Sequence, residues 1–156
     1  MKIAFFAYAY NLAETTRGIE VAKALKKKGV NIQFFSHGGT HESRITEAGF
    51  SYTKLKPLMS EDHHKRFMDI DHGKIMNKEL YTEEDWYQFA KSEVDALRKF
   101  KPDAVYAGFN IPTALSARVA KVPIIYLIPL QATPPFYKAN LGVFPEFVEN
   151  FIFLGM

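Results

Sequence analysis

Short apolar runs alternate with longer amphipathic stretches along most of the chain. The apolar runs occupy residues 3–7, 31–36, 51–55, 101–108 and 122–130. Runs of this length are typical of strands that are buried on both faces, as in a parallel sheet. Because helix-like stretches separate them, the pattern predicts an α/β fold with a Rossmann-like, doubly wound parallel sheet.

Two of the amphipathic stretches are clear helices in the sequence. The first can be capped by Thr15 or Thr16 and ends at Gly29. The second covers residues 83–101, with an acidic first turn and one apolar stripe. The stripe consists of Trp86, Phe89, Ala90, Val94 and Leu97. Further helices are predicted over residues 41–49, 111–120 and 146–156.

The segment 56–82 interrupts this regularity. It is charged, has no sustained apolar period and includes "SEDHHKRFMDIDHG", which contains three His and three Asp residues. These residue types bind metals, but their spacing repeats no known site, so a solvated loop is favoured over a metal site. Because such a segment buries little surface, we expect it to be the most mobile part of the chain.

Composition narrows the function classes. A chain of 156 residues is expected to form one domain. It contains no cysteine, which excludes disulfides and a thiolate nucleophile and permits a cytoplasmic location. The net charge is only +3, so nucleic acid is not an expected partner. No apolar stretch approaches the roughly 18 residues of a membrane span.

Two stretches carry a family resemblance. "YNLAETTRGIEVAKALKKKGVNIQFFSHG" and "KPDAVYAGFNIPTALSARVAKVPIIYL" resemble the N-terminal, acceptor-side domain of GT-B nucleotide-sugar glycosyltransferases, the UDP-glycosyltransferase and MurG-like superfamily. The matching features include Thr16-Arg17, the helix end "AKALKKKGV" and the phrase "EAGFSY". The resemblance implies that donor phosphates lie on a second domain, which fits a first loop without glycine.

The resemblance also implies a site at the carboxyl ends of the strands. The histidine that serves as general base in the family aligns with Glu14, and its supporting aspartate aligns with Gly108. Glu14 is therefore either a catalytic base, an acceptor-positioning residue or a solvated carboxylate at a helix start. The residues expected to contact the acceptor are Asn11, Thr15, His37, Asn110, Thr113, Gln131 and Tyr137.

Members of this family carry a C-terminal donor-binding domain, which residues 1–156 do not include. We therefore expect an acceptor-binding domain, from a truncated chain or a half-enzyme, that is inactive alone. It would work with a donor domain in cis or trans. The expected donor is a UDP-sugar, without cofactor or metal, and the acceptor is a small molecule, lipid or glycan. A stand-alone binding or regulatory module, or a subunit of a two-chain enzyme, is the alternative.

The apolar stretch 146–156 bears on assembly and location. It is expected either to dock on the sheet of its own domain or to form a homodimer, because it is too apolar to stand in water. The expected location is the cytoplasm, with peripheral membrane association left open.

Overall fold

The computed structural model describes residues 1–71, 81–108, 110 and 112–127, and they build a five-stranded sheet with flanking helices. The strands are β1 (Lys2–Phe6), β2 (Asn31–Ser36), β3 (Ser51–Lys54), β4 (Ala104–Ala107) and β5 (Ile124–Tyr126). The helices are α1 (Leu12–Lys26), α2 (Ser43–Glu47), α3 (Glu61–Asp71), α4 (Glu83–Phe100) and α5 (Pro112–Ala120). The strand order is β3-β2-β1-β4-β5, and all neighbouring strands are parallel.

Successive β1 residues point to opposite faces of the sheet, and helices cover both faces. On one face, below α1 and α2, the ring centroid of Phe5 lies 5.0 Å from Phe34 and 4.5 Å from Tyr106. On the other face, Phe6 belongs to a second apolar cluster with residues of α4 and α5. The predicted α/β fold with a doubly wound parallel sheet is therefore confirmed.

The first helix begins earlier than the sequence pattern suggested. The helix is capped by Asn11, whose side-chain oxygen accepts a hydrogen bond from the Glu14 backbone N–H at 3.0 Å. The prediction of a Thr15 or Thr16 cap is wrong, since both lie within the helix. Asn11 follows directly on the turn after β1, and an Asx side chain there satisfies the free N–H groups of the first turn. The start of α1 is therefore determined by the turn after β1.

Helix α3 is a further difference, because segment 56–82 was expected to be a loop with at most a short, loosely docked helix around residues 64–81. Its contacts with the turn after β1 are aromatic and polar. His64 Nδ1 lies 2.8 Å from the Tyr8 hydroxyl, and the His64 ring stacks on Tyr10 with a centroid distance of 4.7 Å. Such contacts produce no apolar periodicity, so the sequence pattern missed this helix. The expected mobility of the segment stays a prediction.

Several predicted elements fall on residues that the structure does not describe. They include residues 72–80, the loop 129–140 and the apolar helix 146–156. Among the described helices, none is both long and apolar enough to cross a membrane.

Candidate functional site

Polar residues collect at the carboxyl edge of the sheet, in the turns after β1, β2 and β4. Parallel strands end on the same edge, so these turns become neighbours. Three of the residues expected to bind an acceptor come together there: His37, Asn110 and Thr113. All three are buried, and they surround the carboxyl group of Glu93, which projects from the middle of α4.

The carboxyl group of Glu93 gathers donors on one oxygen. Its Oε1 accepts hydrogen bonds from Asn110 Nδ2 at 3.0 Å and from Thr113 Oγ1 at 3.0 Å. Asn110 Nδ2 also donates to Thr113 Oγ1 at 2.8 Å, which closes a ring of three hydrogen bonds. The ring ties the turn after β4 and the start of α5 to α4. Because its members are buried, each bond is screened little by solvent.

His37 joins this cluster from the end of β2. Its Nδ1 lies 2.8 Å from the Pro57 carbonyl oxygen, and its Nε2 lies 3.5 Å from Glu93 Oε1. The edge of the ring contacts Phe89, with a centroid distance of 4.5 Å. His37 Nε2 and Glu93 Oε2 are buried polar atoms without a hydrogen-bond partner among the described residues. The interior of the cluster therefore contains two polar atoms whose hydrogen-bonding capacity is unused by the described residues.

A second carboxylate, Glu14, lies in the first turn of α1, where the turn after β1 enters the helix. Its Oε1 lies 2.6 Å from Arg17 Nη1, and its side chain is only 8% exposed whereas that of Arg17 is 35% exposed. The predicted acceptor-binding residues Asn11 and Thr15 make bonds that hold this turn. The Asn11 side chain caps α1, and the buried Thr15 hydroxyl donates to the Asn11 carbonyl oxygen at 2.9 Å.

Gly108 gives the Glu14 carboxylate its place. A Cβ built at position 108 would overlap Glu14 Oε2 and would lie 2.8 Å from the Glu14 carboxyl carbon. The two positions that align with the base and aspartate of the resembling family are thus adjacent in space. Here, the Glu14 carboxylate occupies the room that a side chain at position 108 would need.

The pocket beside Glu14 is small. Its volume is about 10 Å³, at the threshold for a single water. Its lining includes Phe5, Tyr8, Gly18 and Tyr106. A ligand larger than water does not fit inside this pocket.

Aromatic side chains form the neighbouring surface of the edge. The buried cluster of Tyr8, Met59, Tyr81 and Phe89 has Tyr10, Phe67 and Trp86 packed against it. Burial, followed by the proximity of Tyr81 and Tyr10, raises the pKa of the Tyr8 phenol, which therefore stays neutral. The Tyr10 hydroxyl donates to the Met59 carbonyl oxygen at 3.1 Å. The partly buried rings, Tyr10, Phe67 and Trp86, are the members of this arrangement that a flat or apolar ligand can reach.

Glu93 was missed by reasoning from the sequence, although a signal was present. It lies four residues after Phe89 and four before Leu97, so it falls inside the apolar stripe of α4. A carboxylate at such a position must be buried with partners, because an unpaired buried charge is costly. Of the other expected acceptor-binding residues, Gln131 and Tyr137 lie outside the described residues. Within those residues, no group of three or more His, Asp or Glu side chains is arranged to hold a metal ion.

Comparisons with known proteins give a likeness of fold. No protein-family profile and no curated protein sequence matches the chain. Among crystal structures, MurG of Acinetobacter baumannii aligns with 82% of the chain at 15% identity and a TM-score of 0.60. The Streptomyces glycosyltransferase SsfS6 aligns with 89% at 15% identity and a TM-score of 0.57. A glycosyltransferase of kitacinnamycin aligns with 90% at 15% identity and a TM-score of 0.62.

These structures are much longer than the chain. The aligned part covers 34% of MurG, 42% of SsfS6 and 33% of the kitacinnamycin glycosyltransferase. GT-B glycosyltransferases consist of two facing Rossmann-like domains, so the aligned part corresponds in size to one of the two. The chain therefore has the fold of a single half of a GT-B glycosyltransferase.

Proposed function

We propose that this chain is the acceptor-binding half of a glycosyltransferase that moves a sugar from a nucleotide-sugar donor to a hydroxyl group. The observation that carries the proposal is the shared fold, in which the chain matches one half of several glycosyltransferases. The motifs "AKALKKKGV" and "EAGFSY" add support for the N-terminal, acceptor-side half. The first turn has no glycine-rich phosphate loop, which fits a donor bound elsewhere.

The turn after β1 supplies the expected acceptor contact. Arg17 holds one carboxylate oxygen of Glu14, and the other oxygen faces the space above Gly108. An acceptor hydroxyl can donate a hydrogen bond to that second oxygen. The Tyr10 ring, which stacks on His64, follows the same strand. We assign Glu14 to acceptor positioning, in preference to proton abstraction, because one of its carboxylate oxygens is already held by the Arg17 guanidinium.

A second domain completes the proposed enzyme. Transfer requires a donor held opposite the acceptor hydroxyl, and the proposal places a UDP-sugar on a donor-binding domain in cis or in trans. The acceptor is a small molecule, a lipid or a glycan. The cysteine-free composition fits a cytoplasmic location. A lipid acceptor would add peripheral membrane association to this assignment.

Binding by the isolated chain tests the assignment to the acceptor half. UDP and UDP-sugars, and separately a panel of hydroxyl-bearing acceptors, are titrated into labelled chain and followed by NMR. We expect acceptors to shift signals of Tyr10 and Glu14, UDP to shift none, and no UDP release in the presence of both. If the chain bound UDP but none of the acceptors, it would be assigned to the donor half. Robust turnover without a second polypeptide would contradict the proposal.

A matched pair of variants makes the binding test specific. Glu14 and Glu20 both lie on α1 and both form an i,i+3 ion pair, Glu14 with Arg17 and Glu20 with Lys23. We expect Glu14→Ala to weaken acceptor binding and Glu20→Ala to leave it unchanged. Equal losses in the two variants would show that the acceptor does not use the turn after β1.

A further inference from the structure

The buried cluster around Glu93 contains polar atoms that its neutral hydrogen-bond donors leave without a partner. Glu93 is fully buried, and His37 is 3% exposed. The two neutral donors, Asn110 and Thr113, both bind the same carboxyl oxygen. The second oxygen, Oε2, has no partner among the described residues. A carboxylate in this position would carry a negative charge in the interior with little to balance it.

The position of the His37 ring fixes one of its protons. Nδ1 lies 2.8 Å from the Pro57 carbonyl oxygen, and a carbonyl oxygen only accepts hydrogen bonds. Nδ1 therefore carries a hydrogen. In a neutral imidazole the other nitrogen, Nε2, would then carry a lone pair, and this nitrogen lies 3.5 Å from Glu93 Oε1. A lone pair so close to a buried carboxylate is repulsive, and one additional proton on either group removes the repulsion.

Two phenols and a second imidazole in the described part of the chain near Glu93 do not supply a compensating charge. Desolvation, followed by the proximity of the Glu93 carboxyl group, raises the pKa of the Tyr81 and Tyr126 phenols, which remain neutral. His63 is held on the other side of Phe89, with its Nε2 3.4 Å from Asp85 Oδ2. In the described part of the chain, His37 is thus the group within 4 Å of Glu93 that can become a cation.

We propose that His37 and Glu93 together hold one proton more than a neutral imidazole and a carboxylate would. The pair is then neutral as a whole, either as imidazolium and carboxylate or as imidazole and carboxylic acid. Glu93 thereby acts as a positioning residue at the carboxyl edge of the sheet. It holds the Asn110 amide through a hydrogen bond, and the additional proton makes the nearby His37 ring and the Glu93 carboxyl group compatible in the interior.

The orientation of the Asn110 amide is the functional consequence. Nδ2 donates to both Glu93 and Thr113, and in the described part of the chain the amide oxygen is the atom left to accept a bond from a ligand hydroxyl. This consequence rests on the proposed acceptor-binding function. The shared proton does not, because it follows from distances within the cluster alone.

NMR of the isotopically labelled chain at pH 7 tests the shared proton without donor or acceptor. We expect either both His37 ring nitrogens, or Nδ1 of His37 together with the Glu93 carboxyl group, to be protonated. A ring protonated only on Nδ1 beside an ionised Glu93 carboxylate would overturn the proposal. Neither result depends on whether the chain binds a sugar acceptor, so failure here and failure of the proposed function are distinguishable.

Glu93→Gln separates the proton from the shape of the cluster. The Gln amide oxygen can take the place of Oε1 and accept the bonds from Asn110 and Thr113, and its uncharged NH₂ group then takes the place of Oε2. We expect the His37 ring to become neutral in this variant, protonated only on Nδ1. The exposed Glu84 of the same helix is the control, and Glu84→Gln should leave the His37 spectrum unchanged. A doubly protonated ring that persists in Glu93→Gln would contradict the role of Glu93. If that variant does not fold, the wild-type spectrum alone decides.

Discussion

The carboxyl edge of the sheet holds two carboxylates, Glu14 and Glu93, that are shielded from water in different ways. Glu14 is paired with a guanidinium whose side chain is 35% exposed, so its charge has a path to solvent. Glu93 is fully buried and has two neutral donors and one imidazole as its partners. The first site can give up a partner to water, whereas every partner of the second is inside the fold.

The two sites also differ in what places them. The partner of Glu14 is three residues away, and its cap is Asn11 in the same turn. The partners of Glu93 are 17 and 20 residues away for Asn110 and Thr113, and His37 comes from another strand end. A short-range site forms with its helix, whereas a long-range site requires the finished fold. Substitution at Glu93 should therefore report on the whole domain and substitution at Glu14 on one turn.

The largest expected effect is that of Glu93→Ala on stability. Removal of one member of a buried polar cluster leaves the remaining members unpaired, so we expect the free energy of unfolding to fall by about 3 kcal/mol. Glu14→Ala should cost about 1 kcal/mol or less, because Arg17 can turn to solvent. Urea unfolding of both variants measures the difference.

Glu93→Gln is the control for this comparison. It keeps a hydrogen-bonding group of the same shape, so its loss should stay within about 1 kcal/mol. If Glu93→Ala and Glu14→Ala proved equally destabilising, the distinction between a buried cluster and a solvent-connected ion pair would be wrong.

A smaller effect is expected at Gly108. Gly108→Ala places a methyl group where Glu14 Oε2 lies, so the carboxylate must move away and give up its place beside the turn. We expect a loss of about 1 kcal/mol, since the displaced group is the end of a flexible side chain. In the Glu14→Ala background the same methyl group fills empty space, and the loss should disappear. A double-mutant cycle by urea unfolding measures this coupling, and additive losses would show that the two positions do not compete.

Much of the fold could be predicted because it depends on local patterns. The apolar runs predict the strands β1, β2 and β4, and the apolar stripe predicts helix α4. The alternation of strands and helices predicts a parallel sheet. Helix α3 could not be predicted in this way. It packs through His64 and Phe67 on tyrosines of another turn, and such contacts leave no apolar period in the sequence.

The candidate site was predictable only in part. The strand ends predicted that His37, Asn110 and Thr113 would lie at the carboxyl edge of the sheet, and the three residues do come together there. Their common partner was not predicted, because Glu93 comes from a helix and not from a strand-end turn. Likewise, the alignment placed Gly108 opposite Glu14 but gave no hint that the carboxylate fills its space. Both omissions concern atoms that meet only after the chain has folded.

The smallest expected effect is that of Glu14→Gln on catalysis in an active assembly of this chain with a donor-binding domain. Gln keeps the shape of the side chain but replaces a charged carboxylate oxygen by a neutral amide oxygen. This weakens the hydrogen bond from the hydroxyl group of the sugar acceptor by about 1 kcal/mol, which corresponds to about a fivefold change in affinity. We therefore expect a rise of that size in the KM for the acceptor, with turnover nearly unchanged, and Glu20→Gln should change neither. A loss of turnover of about 10²-fold or more would identify Glu14 as a general base instead. If neither value changed, Glu14 would be a carboxylate that stabilises the start of α1 and takes no part in acceptor binding.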